Sequence, residues 1–300
     1  MLETGERPHI TVVGDLILDR YLIGDATKLN PEMPGVVIRV EKEEDRLGGA
    51  AAVAMLAAEF GAQVTLAGAV GRDESGDRVS RLLHSHEIAL HLWIDDRPTT
   101  WKQRIVARGQ LRPDRCDREV TTPIASEAAN LLADVAIGDA LLIQDYGKGV
   151  CTGRLLSRLT QCALTESVPV LVDPARSRNW SDYAGATLIK ANWAEAMEQG
   201  PASSGPKGLA RRLSDIHDCH VVITLGERGL VCAEHSGETW HVPANPVDVC
   251  DVCGAGDTVL AALGVAVARG TSLRESCVLA TSVAAQQVSR IGVSSIRCAA

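Results

Sequence analysis

No run of apolar residues in this 300-residue chain approaches the length needed to span a bilayer, and the opening MLETGERPH is polar and acidic, unlike a secretory signal. Together these absences predict a soluble, cytoplasmic protein with no membrane partner. A disulfide framework is also missing. The nine cysteines are odd in number and scattered from Cys116 to Cys298, which suits a reducing compartment in which they serve as small buried apolar residues. The one CxxC, Cys250 to Cys253, lacks the second pair or nearby His cluster that a zinc or redox site needs. Positive charge is in deficit, with 30 Lys and Arg against 38 Asp and Glu, and the net charge of −8 opposes general attraction to nucleic acid or an anionic membrane. There is no internal repeat, low-complexity tract or flexible linker. The first strand is followed by GDLILD, without the GxGxxG turn of a dinucleotide-binding enzyme.

What is present is a core. With 46% of residues hydrophobic and 23% charged, the chain holds enough apolar material for one large α/β domain. Strand-like and helical segments alternate: HITVVG (9–14), a helix from about Gly49 to Phe60, QVTLAG (63–68), and a helix near Asp73 to His84. The rhythm resumes with DALLIQD (139–145), VPVLVDP (168–174), ATLIKAN (186–192) and HVVITLG (220–226). These runs are apolar throughout, as parallel strands covered on both faces should be. Two stretches, about 19–45 and 91–119, break the pattern. They read as antiparallel excursions forming a small β lid over the carboxyl edge of the sheet, able to exclude water from a reaction. From Gly254 onward the sequence predicts two small-residue helices separated at Gly270.

The strongest chemical signal is DVCGAGDTVLAAL, Asp251 to Leu263. Gly254, Ala255 and Gly256 allow the backbone to approach a ligand closely, and the helix that follows offers unpaired N–H groups and the positive end of its dipole. Asp257 puts a carboxylate in the first turn of that anion hole. Such a placement makes sense for chemistry or a cation, or for stabilisation of the helix start, and spacing alone leaves both open.

DVCGAGD resembles the signature of the ribokinase-like carbohydrate kinases, the phosphofructokinase B family, and further likenesses follow the family's order along nearly the whole chain. GDLILD (14–19) is similar to its first-strand substrate motif, and 47–76 to its glycine-rich sugar-binding segment. KANWAE (190–195) carries the NxxE pattern, and ITLGERG (223–229) resembles the nucleotide-binding strand and turn. The resemblance implies a three-layer αβα fold spanning 1–300 as one domain, with a mostly parallel central sheet and a small β lid. Within the family, 19–41, TTWKQRIV (99–106), RCDRE (115–119) and QDYGKG (144–149) are most similar to kinases that phosphorylate D-glycero-D-manno-heptose 7-phosphate at the anomeric oxygen. Some of those carry a fused adenylyltransferase domain; lacking an HxGH motif, this chain resembles the stand-alone form.

The family's roles carry over residue by residue. Asp257 becomes the base, and the amides of Gly254, Ala255, Gly256 and Asp257 neutralise the γ-phosphoryl in flight. Asn192 and Glu195 organise Mg²⁺ through water, an assignment compatible with an N-cap and its capping-box partner. Thr224, Gly226, Gly229 and Thr281 lie near the nucleotide, and Lys190 and Lys148 meet ATP or its Mg²⁺. Asp15, Gly48 and Gly49 hold the sugar, and Arg20, Lys28, Lys102, Arg104 and Arg115 are the lid cations available to a sugar phosphate. Asp251, with backbone from 292–295, corresponds to the family's monovalent-cation (K⁺) site. Pairing through the lid, as in other members, implies a homodimer.

The sequence also departs from the family. Ala52 replaces an asparagine that bonds the sugar, a loss worth about 1–3 kcal/mol to a buried hydroxyl. Thr281 replaces one near the adenine, Cys253 a threonine, and Pro174 is followed by AR. These departures leave two rivals: a kinase for fructose, ribose or a nucleoside, and a non-catalytic sugar- or nucleotide-binding member.

Overall fold

The structure, a computed structural model, describes residues 7–32, 34–107, 110–176, 178–200, 205–290 and 292–293, the side chains of 27 and 112–114 excepted. The main sheet runs in the order β12 (Thr239–Val242), β11 (Leu230–Ala233), β10 (His220–Thr224), β9 (Leu188–Asn192), β8 (Val170–Asp173), β7 (Ala140–Gln144), β1 (His9–Leu29), β3 (Gln63–Gly71) and β4 (Ala89–Asp95). From β10 through β4 every pairing is parallel, while β10, β11 and β12 form an antiparallel edge.

Alternation along the parallel strands builds two cores. Val12, Leu142, Leu171 and Val222 enter one with α1 (Ala50–Glu59), α2 (Glu74–His84), α7 (Ala255–Ala268) and α8 (Leu273–Val288). Their neighbours Val13, Ile143, Val172 and Ile223 enter the other with α3 (Ser126–Ala133), α4 (Gly153–Glu166), α5 (Trp193–Glu198) and α6 (Gly205–His217). Strands covered on both faces need no polar side, which explains their continuous apolar runs. Helix starts follow local capping chemistry: Asp73, Thr152 and Ser272 accept from amides of the first turns of α2, α4 and α8.

The lid grows out of the sheet. Past Asp15, β1 leaves β3 and continues through bulges near Ile23 and Asp25 to pair with β2 (Val36–Gly49) on one side and β5 (Thr100–Ala107) on the other. Next to β5 lies β6 (Gln110–Arg118). One expected boundary differs. Residues 91–95 belong to β4, whose side chains continue the parallel register on β3 after the α2 crossover, so the second lid segment begins at Thr100. Among the described residues no helix is long and apolar enough to cross a membrane.

Candidate active site

The carboxyl ends of the parallel strands deliver the polar groups. β1 ends its sheet portion at Asp15, β7 leads into Asp145 and Tyr146, β8 ends at Asp173, and β9 carries Lys190 and Asn192. In open parallel sheets this is where loops meet ligands.

Gly254 is the N-cap of α7, with φ +75°, a left-handed conformation that any side chain would strain, and a Cβ there would lie 2.3 Å from Val293 Cγ2. No side chain caps this helix. Of the first-turn amides, Ala255 N–H donates to Val252 O at 3.3 Å, and no capping side chain competes for the others at the positive end of the helix dipole.

Asp257, in that first turn, is 3% exposed. Burial, and then the Asp173 carboxylate, push its carboxyl up to about 7; Lys190 and the Tyr146 hydroxyl pull the other way, while Asp19 adds to the rise. The Tyr146 hydroxyl donates to Asp257 Oδ1 at 3.0 Å. Lys190 Nζ donates to Asp173 Oδ2 at 2.6 Å, and Gln144 Nε2 reaches the same oxygen at 3.1 Å. Burial lowers the Lys190 ammonium, but Asp173 more than offsets this and the net shift is upward, so the lysine stays charged. A Cβ on Gly256 would sit 2.9 Å from Lys190 Nζ, so the ammonium lies directly against the helix start. Desolvated and fixed, it is suited to stabilise charge that develops on a phosphoryl group there.

On one side of this turn lies a largely apolar pocket of about 390 Å³. Thr224, Gly226 and Gly229 line it from the β10 end, Ala255 and Gly256 from the turn, and Thr281 from α8. Thr281 already donates its hydroxyl to Cys277 O at 2.8 Å, leaving lone pairs for a ligand. An apolar slot with a few polar groups at its rim suits a flat, partly polar ligand such as a nucleobase.

On the other side stands the inner face of the lid. The strand registers put Asp19 and Tyr21 of β1, Arg46 and Gly48 of β2, Lys102 and Arg104 of β5, and Arg115 of β6 on that one face. The Arg104 guanidinium bonds Asp19, and its head lies 5.7 Å from the Tyr21 ring centre. Arg46 covers the same ring at 4.7 Å. A Cβ on Gly48 would lie 2.7 Å from Asp19 Oδ2, so only glycine leaves that carboxylate its room. Lys102 Nζ rests 4.8 Å from the Tyr146 ring centre, its ammonium pushed down by burial.

The remaining predicted residues divide. Asn192 and Glu195 form a complete capping box, Asn192 N–H to Glu195 Oε2 at 2.8 Å and Glu195 N–H to Asn192 Oδ1 at 3.0 Å. Burial, then Asp173, raise the Glu195 carboxyl. Asn192 and the Lys190 charge pull the other way, and among the described residues no group of three or more His, Cys, Asp or Glu could hold a metal. This oxygen-only, open arrangement fits Mg²⁺, which keeps its waters and binds phosphate, better than a metal needing a protein cage.

Asp15 faces inward and accepts amides of Tyr146, Lys148 and Val150 at 2.9 to 3.0 Å, holding the loop after β7. Burial, then Asp145, raise its carboxyl to about 6. Arg20 lies on the opposite face of β1 from Asp19, paired with Asp45, and Lys28 is exposed near the far end of the lid strand. Arg115 pairs with Asp117 and Lys148 with Glu119. Asp251 accepts the amides of Cys253 and Gly292, one on each oxygen, and so clips the turn to the chain after α8. Of 292–295, residues 294 and 295 lie outside the described residues.

Arg46 and Tyr21 of the lid face, together with Asp19, Asp173 and Tyr146, escaped sequence reading. Asp19 closes the quoted GDLILD, five residues after Gly14, and strand alternation would have turned it and Tyr21 to one face. Asp173 ends an apolar strand, a position that marks ligand edges in such sheets. Tyr146 lies within the quoted QDYGKG, but nothing in the sequence joins it to Asp257, 111 positions away; only the fold does.

A helix start with no side-chain cap, a buried carboxylate, an apolar pocket of nucleotide size and a facing lid that carries cations form an arrangement suited to phosphoryl transfer. The family model for "pfkB family carbohydrate kinase" matches residues 7–298, and the chain belongs to that family: it is an ATP-dependent carbohydrate kinase. It is 36% identical over 299 residues to "Bifunctional protein HldE" of Haemophilus influenzae (strain PittEE), covering 97% of this chain and 62% of that protein. The protein of the same name from Bradyrhizobium diazoefficiens is 34% identical, with 97% and 61% covered. The chain thus spans about three fifths of the length of these curated relatives. Among solved structures, phosphofructokinase-2 from Escherichia coli in complex with substrates and products superposes with a TM-score of 0.78 at 18% identity, covering 94% of this chain and 93% of that one. Arabidopsis thaliana ribokinase complexed with ribose and ATP gives 0.73 at 17%, with 95% and 94% covered. These two likenesses concern the fold.

Proposed function

We propose that this kinase transfers the γ-phosphoryl group of ATP to the anomeric hydroxyl of a phosphosugar, D-glycero-D-manno-heptose 7-phosphate being the acceptor its lid segments most resemble. The observation that carries the reading is the position of Asp257, buried between the nucleotide-sized pocket and the cationic lid face. In the reaction the acceptor O–H gives its proton to Asp257 while its oxygen bonds to the γ-phosphorus. The bond from that phosphorus to the bridging oxygen breaks, and ADP leaves. The first-turn amides and Lys190 balance the charge on the moving group. Mg²⁺, organised through water by Glu195 and Asn192, would supply further neutralisation of the phosphates. Asp19 accepts from sugar hydroxyls, and Lys102 and Arg104, with Arg46 and Arg115 that pair with Glu44 and Asp117, are the lid-face cations offered to the acceptor's own phosphate. Pairing of lid strands between two copies, and a cytoplasmic location, belong to the same reading.

A second acceptor class is favoured by one observation. Ala52 is fully buried in the first turn of α1, so the hydrogen bond that other family members make there has no donor or acceptor. A kinase of the same chemistry for an unphosphorylated sugar or nucleoside would then rely on Asp19 alone. ADP release measured against matched phosphorylated and unphosphorylated sugars separates the two. Turnover confined to phosphosugars is expected, and equal turnover of fructose or ribose would overturn the phosphosugar assignment.

A further inference from the structure

The loop after β7 is built to a tolerance its backbone alone does not require. Asp15 fixes it through three amides, and Asp145 adds the Gly147 amide at 2.7 Å and the Tyr183 hydroxyl at 2.8 Å. What this double anchoring delivers is one side chain. The Tyr146 hydroxyl lies 3.0 Å from Asp257 Oδ1, while its ring carries Lys102 from the lid on its face. Among the described residues Tyr146 is the one hydrogen-bond partner of that carboxylate, on Oδ1, and Oδ2 accepts from none of them.

We propose that Tyr146 is a positioning residue for phosphoryl transfer: its hydroxyl holds the Asp257 carboxylate in the orientation in which Oδ2 meets the acceptor hydroxyl, and helps keep it ionised before the acceptor arrives. The inference rests on the reading of Asp257 as the base. Four groups face Asp257: Asp173 from β8, Lys190 from β9, Asp19 from β1 and Tyr146 from the loop after β7. Asp173 and Asp19 favour its protonated form, as burial does, and Lys190 is already committed to Asp173. The phenol is thus the one neutral group that donates directly to the charged form. Burial, then Asp257 itself, hold its own ionisation far above neutrality, so it remains a donor throughout the working range. Lys102 on the ring ties the same side chain to the lid face that would receive the acceptor's phosphate.

The test is Tyr146→Phe, which keeps the ring under Lys102 and the loop anchors and removes only the hydroxyl. Steady-state kinetics across pH, with ATP and the phosphosugar that turns over best, should give kcat lower by roughly 10- to 100-fold, as for loss of a hydrogen bond to a charged group. KM for the acceptor should be little changed, and the acid limb of kcat should move up by about one to two pH units. An infrared titration of the Asp257 carboxyl in the free protein, assigned by difference against Asp257→Asn, should show the same upward movement. A wild-type kcat and limb, an unmoved infrared midpoint, or a raised acceptor KM at unchanged kcat would each overturn the proposal, the last by making Tyr146 an acceptor contact. Retained turnover in Asp257→Asn would instead remove the base assignment, and the infrared midpoint would still decide whether the phenol tunes that carboxyl.

Discussion

Replacing Asp257 by asparagine should make the protein more stable while making it inactive. The carboxyl is raised from 3.8 to about 7 by burial and by Asp173. Between those values the native state holds a proton that the unfolded chain has released, so stability falls as pH rises through the window and levels off above about 7. A displacement of this size costs about 4 kcal/mol of folding free energy once it is fully developed, and roughly 2 kcal/mol of it is present at about pH 5.5. Asparagine carries no charge to desolvate, and its carbonyl oxygen still accepts from Tyr146. Urea unfolding of the free protein should therefore find Asp257→Asn more stable by roughly 2 kcal/mol near pH 5.5 and roughly 4 kcal/mol near pH 8.5. An unchanged gap between the two pH values, or a variant less stable than wild type at the higher one, would refute the argument that a desolvated, charge-crowded carboxylate is maintained for chemistry.

Lys190→Met leaves Asp173 buried without its cation beside Asp257. Thermal or urea unfolding should register a loss of about 3–5 kcal/mol, and the acid limb of kcat should rise above its expected position near pH 7. Arg104→Ala removes the partner of Asp19 and a central cation of the lid face. It should raise KM for the phosphosugar by roughly tenfold or more, as expected for a charge-assisted pair, while KM for ATP, bound across the turn, stays near wild type.

Much of the scaffold could be read from the chain because its rules are local. Apolar runs such as DALLIQD and HVVITLG became β7 and β10, and the helix read near Asp73 begins with that residue as its cap. The two small-residue helices after Gly254 end and begin on either side of Gly270. The boundary at β4 was less legible because an alternating strand at the sheet edge and one in a lid carry the same pattern. In the candidate site, structure within one turn is local: the helix start at Gly254 and the Asn192–Glu195 capping box form between near neighbours. Spacing alone leaves the role of Asp257 open, and the NxxE pattern is read from the family resemblance. What spacing does not encode is which strand faces which. The union of Tyr146 with Asp257 spans 111 positions and that of Arg104 with Asp19 spans 85. Arg20, adjacent in sequence to Asp19, points to the opposite face because β-strand side chains alternate.

The central claim is that Asp257 takes the acceptor's proton as the γ-phosphoryl group leaves ATP. Its most direct test is a single turnover of wild type and Asp257→Asn with ATP, Mg²⁺ and D-glycero-D-manno-heptose 7-phosphate, followed by phosphorus NMR of the products. The account predicts a sugar bearing a second phosphate from wild type, and a rate lower by roughly 10²- to 10⁴-fold from the variant. The same product formed by Asp257→Asn at the wild-type rate would contradict it.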